Sequence, residues 1–246
     1  MDVADYHGNV YIGYWAALKW GKLKLNGWQN IWRTPEKGVI TQTALTRQAP
    51  PAYEGLNRLV WKPDKLKGTW ESKVKPIEAT LVDTDAGKII WHCTQPKARA
   101  SIKSTRLSFS GLGYTEYLDI SIPIRRLPFK TLYWGRCHTE NHYIVWIKWD
   151  GKTKQNLAWH DGECSRDCTI EENKITGTDF LLKLGENILL RQGQIGHNIL
   201  RSSGIIPGIL PKTIFSMDER KWYTTGTLET GTGAEPATTI YEVVSW

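Results

Sequence analysis

Short runs of β-branched and aromatic residues, broken by pairs that tolerate positive φ, constrain this chain more than any other feature. The runs fall at 11–15, 38–45, 79–82, 89–93, 117–122, 132–136, 143–149 and 239–244, and each reads as a strand. Between them stand Gly8-Asn9, Asn26-Gly27, Asp85-Ala86-Gly87, Asp150-Gly151 and Asp161-Gly162. Asn-Gly and Asp-Gly accept the left-handed backbone of tight hairpin turns. Strands recurring at short intervals with such turns predict an all-β sandwich or barrel of antiparallel strands. Helix signals are thin. Residues 178–190 suit a helix or a strand equally, because Gly185 interrupts the apolar run. The proline-bearing stretch 46–76 reads as a long, partly irregular connection.

The 246 residues suffice for one large β domain or two packed smaller ones. No apolar run approaches the roughly 18 residues that cross a bilayer. The opening Met1-Asp2-Val3-Ala4-Asp5 is acidic and polar, unlike a secretory signal or a basic transit peptide. A cytoplasmic location is the resulting expectation. The net charge is +7, but Lys and Arg are dispersed. Lys62-Pro63-Asp64-Lys65-Leu66-Lys67 and Arg125-Arg126 are the densest clusters. A mildly basic solvated surface is expected, with no nucleic-acid partner and at most weak association with a membrane surface. Thirteen tryptophans and ten tyrosines stand against four phenylalanines. Such side chains suit either the walls of a ligand cavity or an aromatic core.

Four cysteines, Cys93, Cys137, Cys164 and Cys168, are too few for a disulfide scaffold. His160, Cys164 and Cys168 share a spacing of four that would align metal ligands on a helix. The intervening Asp161-Gly162-Glu163 is turn-like, so reduced thiols and no metal are expected.

The segment richest in chemistry runs from 107 to 149. Read as a strand, it places Glu116, Leu118, Ile120 and Ile122 on one face, and Tyr117, Asp119 and Ser121 on the other. Tyr114 shares the face of Glu116. Were that face the core, desolvation would raise the Glu116 pKa and make it a general acid for an alkene or a carbonyl. Alternatively Glu116 meets solvent, or pairs with Arg136 and stays ionised. Alternation groups Leu132, Trp134 and Arg136, and opposes Tyr143, Val145, Ile147 and Trp149 to Ile144, Trp146 and Lys148. Upstream, Trp91 and Cys93 oppose Ile90 and His92, so either Trp91 or His92 could face a cavity. A Trp91 face could stabilise a carbocation; core filling is the plainer reading. His138 and His142 read as exposed loop histidines. Nucleophile-elbow, phosphate-loop and dinucleotide signatures are absent, and no cofactor is implied.

Gly111-Leu112-Gly113-Tyr114-Thr115-Glu116 resembles the Gly-x-Gly-Tyr-x-Asp segment of the carotenoid 1,2-hydratase (hydroxyneurosporene synthase) family. Trp134-Gly135-Arg136 with its following strand, the block from Trp91 to Pro96, Lys221-Trp222-Tyr223 and the closing Ile240-Tyr241-Glu242-Val243-Val244 are similar to further segments of it. The resemblance spans about 100 residues. It implies a lipocalin-like (calycin) antiparallel barrel, as two packed β-barrel domains, here placed at 1–115 and 116–246. It also implies an apolar cavity and cofactor-free addition of water to an alkene, begun by protonation. The wider AttH-like superfamily includes tocopherol-cyclase-like proteins and fungal pericyclic cyclases. Glu116 stands where the family has Asp, which lengthens the donor by one methylene.

The expectation is therefore a cofactor-independent enzyme for a hydrophobic polyene- or terpenoid-like molecule. Glu116 and Tyr114 would be catalytic, with Trp91, His92, Trp134, Arg136 and Trp146 around the substrate. A lipocalin-like carrier would instead return its ligand unchanged. A carbohydrate-binding β-sandwich module would display a row of exposed aromatics.

Overall fold

The computed structural model describes residues 1–20, 23–44, 49–123, 126–196 and 217–246. Leu45 and Arg125, which belong to segments singled out above, lie outside them. Among the described residues all nineteen elements are β-strands, and no helix is long and apolar enough to cross a membrane.

The strands form two curled antiparallel sheets that together make a two-domain lipocalin-like barrel. The first holds β1 (Asp2–Ala4), β2 (Val10–Trp20), β3 (Leu23–Thr34), β4 (Gly38–Ala44), β5 (Ala52–Tyr53), β6 (Arg58–Trp61), β7 (Lys67–Glu71), β8 (Ile77–Thr84), β9 (Gly87–Lys103) and β10 (Ser108–Ile120). Its order is β4-β3-β2-β1-β10-β9-β7-β6-β5, with β8 also paired to β9. The second holds β11 (Phe129–His138), β12 (Tyr143–Gly151), β13 (Gln155–His160), β14 (Glu163–Ser165), β15 (Thr169–Ile170), β16 (Lys174–Thr176), β17 (Phe180–Gln194), β18 (Asp218–Thr230) and β19 (Gly233–Ser245). Its order is β14-β13-β12-β11-β19-β18-β17-β16-β15. Strand β10 runs unbroken across 115/116, and the chain changes sheet between Ile120 and Phe129.

Several local readings change. Asn26-Gly27 lies within β3, paired to Ala17 and Ala16. The register continues to Trp20↔Leu23, so the reversal comes earlier than the Asn-Gly pair suggests. Residues 46–76 contain β5, β6 and β7, too short and too flanked by proline to carry a periodic signal. The ambiguous 178–190 segment is strand β17. Asp161-Gly162 is a tight turn, with φ of +50° and +97°, as the type I′ pattern requires.

Each sheet has its own core, and they share two more. Trp28, Trp32, Trp61 and Trp70 fill the first sheet, while Ile144, Trp146, Phe180 and Leu182 fill the second. Between the sheets, Ile89, Trp91, Cys93 and Tyr114 pack against Trp134, Val145, Ile147 and Trp159. A second shared cluster joins Val10, Ile12 and Ile31 to Leu190, Tyr223 and Ile240. Strand β12 is therefore buried on both faces, with Tyr143, Val145, Ile147 and Trp149 toward the first sheet and Ile144 and Trp146 away from it. That explains the unbroken apolar run from Tyr143 to Ile147. Tryptophan serves the interior here: no tryptophan is among the exposed large apolar side chains of the described residues. The exposed large aromatic side chains among the described residues are Tyr6, Tyr53 and Tyr117.

Gly111 and Gly113 are needed because β10 is closely approached, at Gly111 by its ladder neighbour β1 and at Gly113 by Ala100 and Trp70. A Cβ on Gly111 would lie 2.1 Å from the Ala4 carbonyl oxygen, and one on Gly113 would lie 2.7 Å from both Ala100 and Trp70. The Gly-x-Gly motif is a packing device.

Candidate active site

Glu116 sits where β10 and β9 fall out of simple register. Gly113 pairs with Ala98, Thr115 with Gln95 and Tyr117 with His92, so β9 carries an extra residue at each step. Such bulges re-aim side chains, and Pro96, which cannot donate a ladder hydrogen bond, occupies one of them. Both donors near Glu116 address one oxygen. Trp91 Nε1 donates to Oε2 at 2.6 Å, and the Tyr114 hydroxyl donates to it at 2.5 Å.

Burial raises the Glu116 pKa, and the two hydrogen bonds only partly oppose it. When Glu116 is neutral, Oε2 acts as the accepting carbonyl oxygen and Oε1 carries the proton. Trp91 is 0% exposed and Tyr114 3%, whereas Glu116 keeps accessible surface. The acid is thus reachable, and its two hydrogen-bond donors are sealed.

The desolvating neighbours differ from those expected. Leu118 and Ile120 are 40% and 52% exposed, so strict alternation beyond Glu116 does not point to the core. The aromatic cluster dries the carboxyl instead. Trp91 meets Trp134 edge-on at 5.5 Å and Trp159 at 4.7 Å. Trp134 lies beside the Tyr114 hydroxyl, but its Nε1 has no partner at hydrogen-bond geometry.

Arg136 does not neutralise Glu116. It pairs with Asp2 across the two sheets, both side chains being buried. Its Nη1 also lies 3.2 Å from His138 Nδ1, while His138 Nε2 reaches the Pro96 carbonyl at 2.7 Å. Arginine only donates and a carbonyl only accepts, so the His138 proton sits on Nε2. His138 is fully buried rather than a solvent-exposed loop residue, and burial drives its pKa well down.

Sequence reasoning missed a charged group between the sheets. Arg191 bridges Glu219 and Gln29, and Lys221 pairs with Glu242 and lies 3.5 Å from Glu219. Both cations lie over the Tyr14 ring, at 5.4 and 5.3 Å. The Tyr14 hydroxyl is buried and unpartnered, with its pKa pushed up to about 12 by burial. Desolvation outweighs the carboxylate partners of Lys221 and pulls its pKa well down. The charge of Glu116 is felt at both Tyr14 and Lys221. The one available signal was that Glu219, Lys221 and Tyr223 alternate onto one face of β18.

Glu116, Tyr114, Trp91 and Trp134 come together, with Arg136 held aside by Asp2. His92 and Trp146 do not join them. His92 stacks on Tyr117 at 4.3 Å and pairs with Glu78 and Asp119 on the opposite face of β9. Trp146 faces the second sheet's own core, its ring against Gly135. All four cysteines are free, and His160 bonds to Asp179 rather than to a thiol. A surface groove of about 1510 Å³ runs along Ala98 to Ser101 and past Tyr143 and Asp161. None of the Glu116 group lines it.

No family model and no curated protein sequence matches the chain. Solved structures do. Kievitone hydratase from Nectria haematococca superposes with a TM-score of 0.54 at 9% identity, covering 99% of this chain and 86% of that one. A Nitrosomonas europaea protein assigned as AttH gives 0.57 at 9%, over 97% and 87%. The fold is that of the AttH-like, lipocalin-type proteins. CghA bound to Sch210972 shares this AttH-like fold at a TM-score of 0.50 and 7% identity, over 99% and 86%.

Proposed function

We propose that this AttH-like chain is a cofactor-independent enzyme that protonates an alkene of a hydrophobic, polyene- or terpenoid-like molecule, leading to hydration or cyclisation. Glu116 is the acid. Its Oε1 proton passes to an alkene carbon while the π pair forms the new C–H bond, leaving a carbocation and the Glu116 carboxylate. In hydration, water adds to the cation and returns a proton to Glu116; in cyclisation, an internal π bond or hydroxyl closes the ring, and loss of a proton restores the acid. Trp91 and Tyr114 hold Oε2, so they are positioning residues. Trp134 bounds the apolar side, and Tyr14 supplies a second hydroxyl donor toward the substrate. The four free thiols accord with a reducing, cytoplasmic setting.

The observation that carries this reading is the desolvated Glu116 with both donors on one oxygen. A hydratase of the same fold, kievitone hydratase, supports it by analogy. The test is incubation with a panel of polyenes in D2O. Carbon-bound deuterium in the product is expected with the wild type and lost in Glu116→Gln, since general acids contribute about 10²–10⁴-fold. Tight binding with the ligand recovered unchanged would replace this reading with a carrier.

A further inference from the structure

Where β13 ends, two histidines and a carboxylate converge away from Glu116. His142 Nδ1 lies 2.6 Å from Asp161 Oδ2, and His160 Nε2 lies 3.6 Å from the same oxygen. The three ligand atoms fall within 4.8 Å of one another. The backbone fixes this arrangement. Ile144 pairs with His160 in the β12–β13 ladder, and the tight turn begins at Asp161, whose Oδ1 accepts the Tyr143 N–H at 2.9 Å. Oδ2 is thereby left for the histidines.

Each imidazole also has an outer partner. His160 Nδ1 meets Asp179 Oδ2 at 2.6 Å, and His142 Nε2 meets Thr232 Oγ1 at 3.3 Å. An ionised Asp179 can only accept, so His160 carries its proton on Nδ1 and turns a bare Nε2 lone pair inward. That atom is buried without a hydrogen-bond partner. Two lone-pair atoms facing each other at 3.6 Å want a cation between them. A carboxylate behind a ligating histidine is the usual outer shell of such a site.

We propose that His142 Nδ1, His160 Nε2 and Asp161 Oδ2 bind a divalent first-row cation, zinc by preference, at the rim of the large surface groove. Two imidazoles and one carboxylate are a borderline donor set suited to zinc, leaving a fourth position for water. The metal takes His142 as its Nε2–H tautomer, with Nδ1 free to ligate and Nε2–H donating to Thr232 Oγ1. Asp161 and Gly162 line the groove, so the open position faces it.

The untagged full chain, stripped with chelator, is titrated with Zn²⁺ against a chromophoric competitor and, separately, with Co²⁺ followed in the visible. One equivalent is expected, with a Co²⁺ spectrum lacking the thiolate charge-transfer band. Binding should vanish in His160→Gln and Asp161→Asn, weaken about 10–100-fold in Asp179→Asn and persist in Cys164→Ser. Should His160→Gln fail to fold, His142→Gln carries the same test. Absence of saturable binding, wild-type affinity in the folded histidine variants, or loss of binding in Cys164→Ser would overturn the site.

Discussion

Trp91 and Glu116 meet across a bulged strand pair, the indole N–H 2.6 Å from the carboxyl oxygen that also accepts from Tyr114. Arginine lies nearby, yet Arg136 is committed to Asp2. The carboxyl is thus held by neutral donors in a dry aromatic setting, and its pKa is raised.

Removing one donor should move the acid further. The Tyr114 hydroxyl stabilises the ionised form, so Tyr114→Phe raises the Glu116 pKa. Activity that needs the protonated acid falls as pH rises through that pKa. Its alkaline limb should therefore shift upward in Tyr114→Phe, read from a kcat/KM–pH profile. An unmoved limb would detach Glu116 from the rate.

The same group shapes stability. A raised folded pKa means the folded state keeps a proton that the unfolded chain releases. Stability is then lost as pH climbs from the ordinary carboxylate value of 4.5 to the raised one. Urea denaturation across this window should show the loss in wild type and not in Glu116→Gln. Oε1 of glutamine can accept both donors, so the variant keeps the fold.

The Asp2–Arg136 pair is buried and ties the sheets together. Arg136→Met should cost about 3–5 kcal/mol, because it strands a buried carboxylate. Asp2→Asn combined with Arg136→Met should cost less than the sum of the singles, measured by chemical denaturation.

Gly135 lies under an indole: a Cβ there would stand 2.2 Å from the Trp146 ring. Gly135→Ala should lose about 1–3 kcal/mol by overpacking. A Trp146→Phe background should shrink that difference.

Native thiol labelling should modify Cys164 alone, since Cys93, Cys137 and Cys168 are buried. Counting thiols by mass spectrometry before and after denaturation checks it. Early reaction of Cys93 would show that the aromatic cluster beside Glu116 opens.

What the sequence disclosed follows the range of its signals. The two faces of β12 were readable because Tyr143 to Trp149 alternate without a break. The proximity of Tyr114 to Glu116 followed from their spacing of two. Asn26-Gly27 misled because the pair permits a tight turn without requiring one, and here both residues are extended in the β2–β3 ladder. The aliphatic face expected beyond Glu116 failed because β10 runs past the end of β1 there and is exposed on both faces from Tyr117 to Ile120. Nothing local marks Asp2 as the partner of Arg136, or places Tyr14 beneath Lys221 and Arg191. Those relations arise only when the sheets meet.

The three-residue strand β1 lies between β2 and β10 and holds the carboxylate that Arg136 requires. Asp2 pairs with Tyr114 in the ladder and with a guanidinium 134 positions away. Strand β2 can pair with β1 at once, but the other edge of β1 stays open until β10 arrives, and the Asp2 carboxylate stays without its guanidinium until β11 does. Such long-range closure slows folding, and until it is made an open strand edge is available for pairing with another chain.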